Sequence, residues 1–181
     1  MKTFKPRIKA RLRKNRQALN KNIDNFFGWI KGAKLVELKE CNTEEDPVRP
    51  ELDNEFRTGY GRKIYGVEYQ EEIHAVMCFA YTNKIPKSVE ELEKLSTDAF
   101  LQSAMRDQAG GQIAIAYTVW SRKRGAGKEI IKKLGEWAKE NKFSRLVTLS
   151  PLTPMATHFH IRNGAKQIHI NEETQNFEYK L

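Results

Sequence analysis

Residues 111–140, GQIAIAYTVWSRKRGAGKEIIKKLGEWAKE, decide how the chain is read. The apolar run over residues 113–120 predicts a strand. A helix is expected after Gly127, because Ile130, Ile131, Leu134, Trp137 and Ala138 recur on one face while Lys132, Lys133, Glu136 and Lys139 occupy the other. Between them lies Arg122-Lys123-Arg124-Gly125-Ala126-Gly127-Lys128, a turn rich in glycine and positive charge. Glycine lets backbone approach a ligand with no Cβ in the way, and the amides of a first helical turn point outward with roughly half a positive charge behind them. Arg122, Arg124 and Lys128 add side-chain charge, so a bound pyrophosphate is the expectation.

The turn lacks the Gly-Lys-Ser/Thr spacing of a nucleotide P-loop, and a dinucleotide fingerprint needs a different glycine pattern. Its basic-x-x-Gly-x-Gly order, set between a strand and a helix, resembles the acyl-coenzyme A motif of the GNAT N-acyltransferases. The resemblance implies an α/β (α+β) fold, a mixed and mostly antiparallel sheet flanked by helices. It also implies acetyl-CoA or another acyl-CoA as cosubstrate, an amine acceptor of unspecified identity, and no metal. Residues carried over to the cosubstrate are Tyr117, Thr118 and Val119 for the pantetheine arm, and Arg122, Arg124, Gly125, Ala126, Gly127 and Lys128 for the pyrophosphate. Asn163, at the end of a later helix, joins them.

The chain has 181 residues, enough for one domain with a real core and an N-terminal addition. Its formal charge of +9 is uneven: residues 1–31 hold ten basic residues and one acid, and the remainder holds 22 of each. We therefore expect a basic helical arm over 1–31 and a catalytic domain over 32–181. Ile8, Leu12, Leu19, Ile23, Phe26 and Ile30 give the arm helical spacing, and its clustered cations suit nucleic acid or another polyanion. No apolar run approaches the roughly 20 residues that cross a bilayer, so a cytoplasmic protein is expected. Cys41 and Cys78 stand far apart and read as ordinary thiols rather than a disulfide framework. The sequence leaves the oligomeric state open, a homo-oligomer included.

Elsewhere, AKLVELKE predicts a first strand, and residues 42–63 a polar connection expected to be mobile. RKIYGVEYQ and EIHAVMCFAYT predict paired strands, and Ser88-Val89-Glu90-Glu91 opens a short helix as a capping box. RLVTLSP predicts a strand, residues 154–163 a helix stopped by Gly164, and KQIHINEE and NFEYKL two final strands.

A second resemblance runs over roughly residues 73–181. AYTNKIPKSVEEL, QIAIAYTVW, TLSPLTP and FHIRNGA are similar to blocks of the catalytic domain of malonyl-CoA decarboxylase, a relative of the GNAT fold. That family pairs a serine in a Leu-Ser-Pro-x-Pro block with a histidine in a Phe-His-x-x-Asn-Gly-Ala block, which fall on Ser150 and His160 here. The family has a helical domain before its catalytic domain and a long insertion between the two blocks, whereas here Thr153 leads almost directly into the histidine helix. In ordinary acyltransferases the matching helix carries a tyrosine that protonates the departing thiolate, and His160 replaces it. Both resemblances thus place His160 at a bound thioester, where a group titrating near neutrality can move a proton.

The first expectation is an acyl-CoA-dependent N-acyltransferase, with a backbone amide near Val119 stabilising the oxyanion. The alternative enzyme is a compact decarboxylase using Ser150 and His160. A third expectation, of another class, is a nucleic-acid-binding protein without turnover. His158 and His160 point to different sides of a helix and make a poor metal site. His74 and Glu68 lie on predicted strands where a base could sit.

Overall fold

A computed structural model of the chain describes residues 32–106 and 111–181. The expected arm over 1–31 falls outside the described residues. Leu35–Leu181 forms one compact unit.

Eight strands make one sheet: β1 (Lys34–Leu38), β2 (Lys63–Tyr69), β3 (Glu72–Thr82), β4 (Ile113–Ser121), β5 (Arg145–Thr148), β6 (Ser150–Pro151), β7 (Lys166–Ile170) and β8 (Thr174–Tyr179). Their order is β1-β2-β3-β4-β5-β8-β6, with β7 also on β8. The β4–β5 pair is parallel, while β2–β3, β3–β4 and the pairs made by β8 are antiparallel. A parallel neighbour needs a crossover, which helix α3 (Ala126–Glu140) supplies. The other α-helices among the described residues are α1 (Asn54–Thr58), α2 (Val89–Arg106) and α4 (Pro154–Arg162). None of the described helices is long and apolar enough to cross a membrane.

The two faces of the sheet follow from strand alternation. Val76, Cys78 and Ala80 of β3, with Ile113, Ile115 and Tyr117 of β4, form one core with Leu92 of α2 and Phe56 of α1. On the opposite face Tyr65, Phe79 and Tyr81 meet Trp137 of α3, whose ring stacks 5.3 Å from Phe143. The helical face read from residues 130–138 is thus the one that covers the sheet.

Three elements differ from their sequence expectation. Helix α2 is long, at 18 residues, although the Ser88 cap is as read, with Ser88 Oγ accepting from Glu91 N at 3.1 Å. The RLVTLSP strand breaks at Leu149, so that Ser150 and Pro151 pair with β8 instead of continuing along β4. The connection over 42–63 is not a loose link. Asp53 caps α1 by accepting from Phe56 N at 2.7 Å, and Arg57 is fully buried on a 2.9 Å ion pair with Asp46. A charged pair taken out of water must be well bonded to persist. Here Thr118 Oγ1 of β4 donates to the Asp46 carboxylate at 2.8 Å, and Arg57 also donates to Arg49 O at 2.7 Å and Leu52 O at 2.8 Å.

Candidate active site

β4 carries a bulge. Cys78 faces Thr118 and Phe79 faces Ala116, leaving Tyr117 as the extra residue. A bulge breaks alternation, so consecutive side chains turn to one side. Tyr117 packs edge-on against Phe56 of α1, and Thr118 bonds Asp46. Two of the three residues expected at the pantetheine arm therefore commit their side chains to the core, and the third, Val119, is half-buried opposite Met77.

At the same level β4 and β5 part. Their pairing ends at Ala116 and Thr148, with Leu149 N donating to Ala116 O at 2.9 Å. Beyond that point β4 runs on beside β3 while the chain from Ser150 joins β8. Arg49 spans the divergence, its guanidinium donating to Tyr117 O on one strand and to Leu149 O, at 3.0 Å, on the other. Arg49 is 5% exposed, and both of these bonds go to main-chain carbonyls. Desolvation disfavours its charged form.

Ser150 and His160 meet at the end of β5. Ser150 Oγ lies 2.8 Å from His160 Nε2, and His160 Nδ1 lies 2.8 Å from the Tyr179 hydroxyl. Ser150 Oγ also donates to Thr148 Oγ1 at 3.0 Å, which accepts from Phe177 N at 3.2 Å. Four side chains from β5, β6, α4 and β8 thus form one hydrogen-bonded row, Thr148–Ser150–His160–Tyr179. With Ser150 donating to Thr148, a consistent neutral tautomer has Nε2–H donating to Ser150 and Nδ1 accepting from Tyr179. The His160 ring stacks on Phe177 at 4.9 Å, and burial brings its pKa down to about 4. The imidazole is therefore neutral at physiological pH. Burial pushes the Tyr179 hydroxyl the other way, well above its ordinary value.

The sequence singled out Ser150 and His160, which the fold brings together, and did not name Thr148, Tyr179 or Arg49 beside them. Thr148 had a signal, since residues two apart on an extended strand share a face. Tyr179 and Arg49 arrive from distant segments, with no local pattern.

The basic turn stands where the sequence put it. Gly125 adopts φ 89° and opens α3 with no side-chain cap, which leaves the first helical turn available to an anion. Arg124, Gly125 and Lys128 are exposed and Ala126 is buried. Gly127 has a packing reason of its own: a Cβ there would meet the Phe159 ring at 3.3 Å. Its bare backbone seats the residue preceding His160 against the start of α3. Arg122 turns aside, Nε donating to Glu45 at 2.5 Å. Lys128 and Asn163 come together in a groove of about 430 Å³ beside α3, with Lys132, Lys139, Lys180 and Tyr179 also lining it. His74 is paired with Glu72 at 3.6 Å and packs on Tyr69. Among the described residues no three metal-ligating side chains gather.

The architecture is that of the GNAT acyltransferases. An acetyltransferase of Bacillus subtilis, solved with CoA, superposes with a TM-score of 0.54 at 12% identity, covering 82% of this chain and 99% of its own. The GNAT domain of S. lividans PAT gives 0.52 at 12% identity over 82% and 90%. Such identities speak for the fold alone. A malonyl-CoA decarboxylase of Cupriavidus metallidurans is 18% identical over 75% of this chain and 36% of its own, at a TM-score of 0.47, too loose to bear on activity. No family model matches the chain, and no curated protein matches it.

Proposed function

We propose that the chain is an acyl-CoA-dependent N-acyltransferase working at the β4–β5 divergence. The observation that carries this is the buried Ser150–His160–Tyr179 row, which begins beside the divergence and ends on the lysine-lined groove. In this reading the groove and the turn over 124–128 take the phosphates, and the main chain of β4 past its bulge takes the pantetheine arm. Lys128, Lys132, Lys139 and Lys180 supply charge, and Asn163 an amide.

An acceptor amine attacks the thioester carbonyl, and a backbone amide near Val119 holds the developing oxyanion. The proton lost by the amine is the one the thiolate needs. The Nε2–H of His160 protonates the departing thiolate and the proton shed by the amine replaces it, so amide and free thiol are the products with no net proton change. Because His160 is neutral down to about pH 4, its titration leaves the rate unchanged between pH 5.5 and 8.

A second reading, decarboxylation of a carboxyl-bearing acyl-CoA, is favoured by Arg49, a buried cation at the divergence bonded to carbonyls. Mass spectrometry of acetyl-CoA and malonyl-CoA incubated separately with a mixed amine pool separates the two. Acylated amine from acetyl-CoA supports transfer. Acetyl-CoA formed from malonyl-CoA, lost in His160→Ala, replaces it with decarboxylation. Ser150→Ala is expected to slow decarboxylation by about 10²-fold or more and acyl transfer by less than about tenfold.

A further inference from the structure

Cys41 follows β1 and is half-buried, lining a cavity of about 550 Å³ with Asn42, Asn54, Ile73 and Arg122. Asn54 fixes it from two sides. Asn54 Oδ1 accepts from the Cys41 amide at 2.9 Å and from its thiol at 3.5 Å, and Asn54 Nδ2 donates to Cys41 O at 3.0 Å. Behind Cys41 stands Cys78 of β3, fully buried, whose sulfur accepts from Arg57 Nη1 at 3.2 Å. Cys41 packs against the core cluster that contains Cys78, and each thiol shifts the proton affinity of the other.

The pair is asymmetric. Contact with Cys78 is the largest cause bringing the Cys41 thiol down to about 7; Arg57 and Arg122 assist, while desolvation and Asp46 oppose. Glu40 lines the same cavity. Burial pushes Cys78 well up. The accessible sulfur thus yields its proton to form the nucleophilic thiolate more readily than an ordinary thiol, and the buried one holds its proton. Both cysteines are free thiols, as the sequence reading had them, but the fold gives them unequal surroundings. None of these groups has a part in the acyl chemistry proposed above.

We propose that Cys41 is a peroxide-reactive site and Cys78 its resolving thiol, the two closing to an intramolecular disulfide. The Cys41 thiolate attacks one oxygen of hydrogen peroxide, giving Cys41 sulfenic acid and hydroxide, which takes a proton to become water. The Cys78 sulfur then attacks the sulfenic sulfur, forming the S–S bond and releasing a second water. Peroxide is the oxidant, reduced by two electrons, and a dithiol reverses the change. The bond ties the end of β1 to β3 around the segment that carries Asp46, Arg49 and Arg57.

The test uses the full chain, treated with hydrogen peroxide, alkylated and mapped by mass spectrometry. A Cys41–Cys78 linked peptide that dithiothreitol dissolves is the expected result, with a dimedone adduct accumulating on Cys41 in Cys78→Ser. Iodoacetamide should label Cys41 of the untreated protein with a rate midpoint near pH 7. Two free thiols after treatment, oxidation of Cys41 to sulfinic acid with no link, or a link only between chains would each overturn the proposal. The linked peptide is read on the unmutated protein, so a variant that misfolds does not decide the matter.

Discussion

His160 is 5% exposed and bonded to two hydroxyls, with Phe177 stacked on its ring, so nothing beside it offsets the hydration a charged imidazole would lose. Its folded pKa of about 4 lies below the ordinary 6.5, which fixes the sign of its effect on stability. Above pH 6.5 both states are neutral and the favourable burial is fully present. As the pH falls from 6.5 toward 4 the unfolded chain takes a proton that the folded chain refuses, and about 3 kcal/mol of stability is lost. Urea unfolding of wild type and His160→Gln across pH 8 to 4 should show their stabilities converging over that window. A gap that stays constant would mean that His160 titrates normally. His160 and Ser150 were singled out because each lies in a short block that resembles one of a known family. Thr148 and Tyr179 complete the row through strand alternation and the return of the last strand, which no contiguous block displays.

Among the elements, the segment between β1 and β2 was misread most, because Pro, Gly and charged residues spell a loop when each is assumed to stay in water. The fold instead buries Asp46, Arg49, Arg57 and Arg62, and each has bonds to match. Asp46→Ala leaves Arg57 without its carboxylate and Thr118 without its acceptor. Breaking one side of a buried pair costs about 3–5 kcal/mol. For a domain of this size that predicts a fall in Tm of roughly 10 °C, measurable by calorimetry. A shift of a degree or two would mean that water reaches the pair. The β4–turn–α3 unit was legible almost whole, since its strand, its glycines and its amphipathic helix are all local signals. The bulge at Tyr117 was not, because it depends on register against β3.

Over the whole molecule, the excess charge belongs to residues 1–31, and the rest is balanced. Deleting residues 1–20 should abolish salt-sensitive binding to a generic polyanion such as heparin, leaving coenzyme A affinity, read by calorimetric titration, within about twofold. Polyanion binding that survives the deletion would move that surface to the globular part. The sequence by itself determined the order of strands and helices, the basic turn, the helical face that covers the sheet and the two residues of the Ser150–His160 pair. The elements, the turn and the helical face rest on periodicity, glycine and capping, which act over a few residues, and the pair rests on two short blocks that resemble those of a known family. Only the tertiary structure decided the divergence of β4 from β5 with Arg49 across it, the row from Thr148 to Tyr179, and the meeting of Cys41 with Cys78. Each joins segments far apart in the chain, and a buried charge or polar group is stable only where the packed fold supplies its hydrogen bonds.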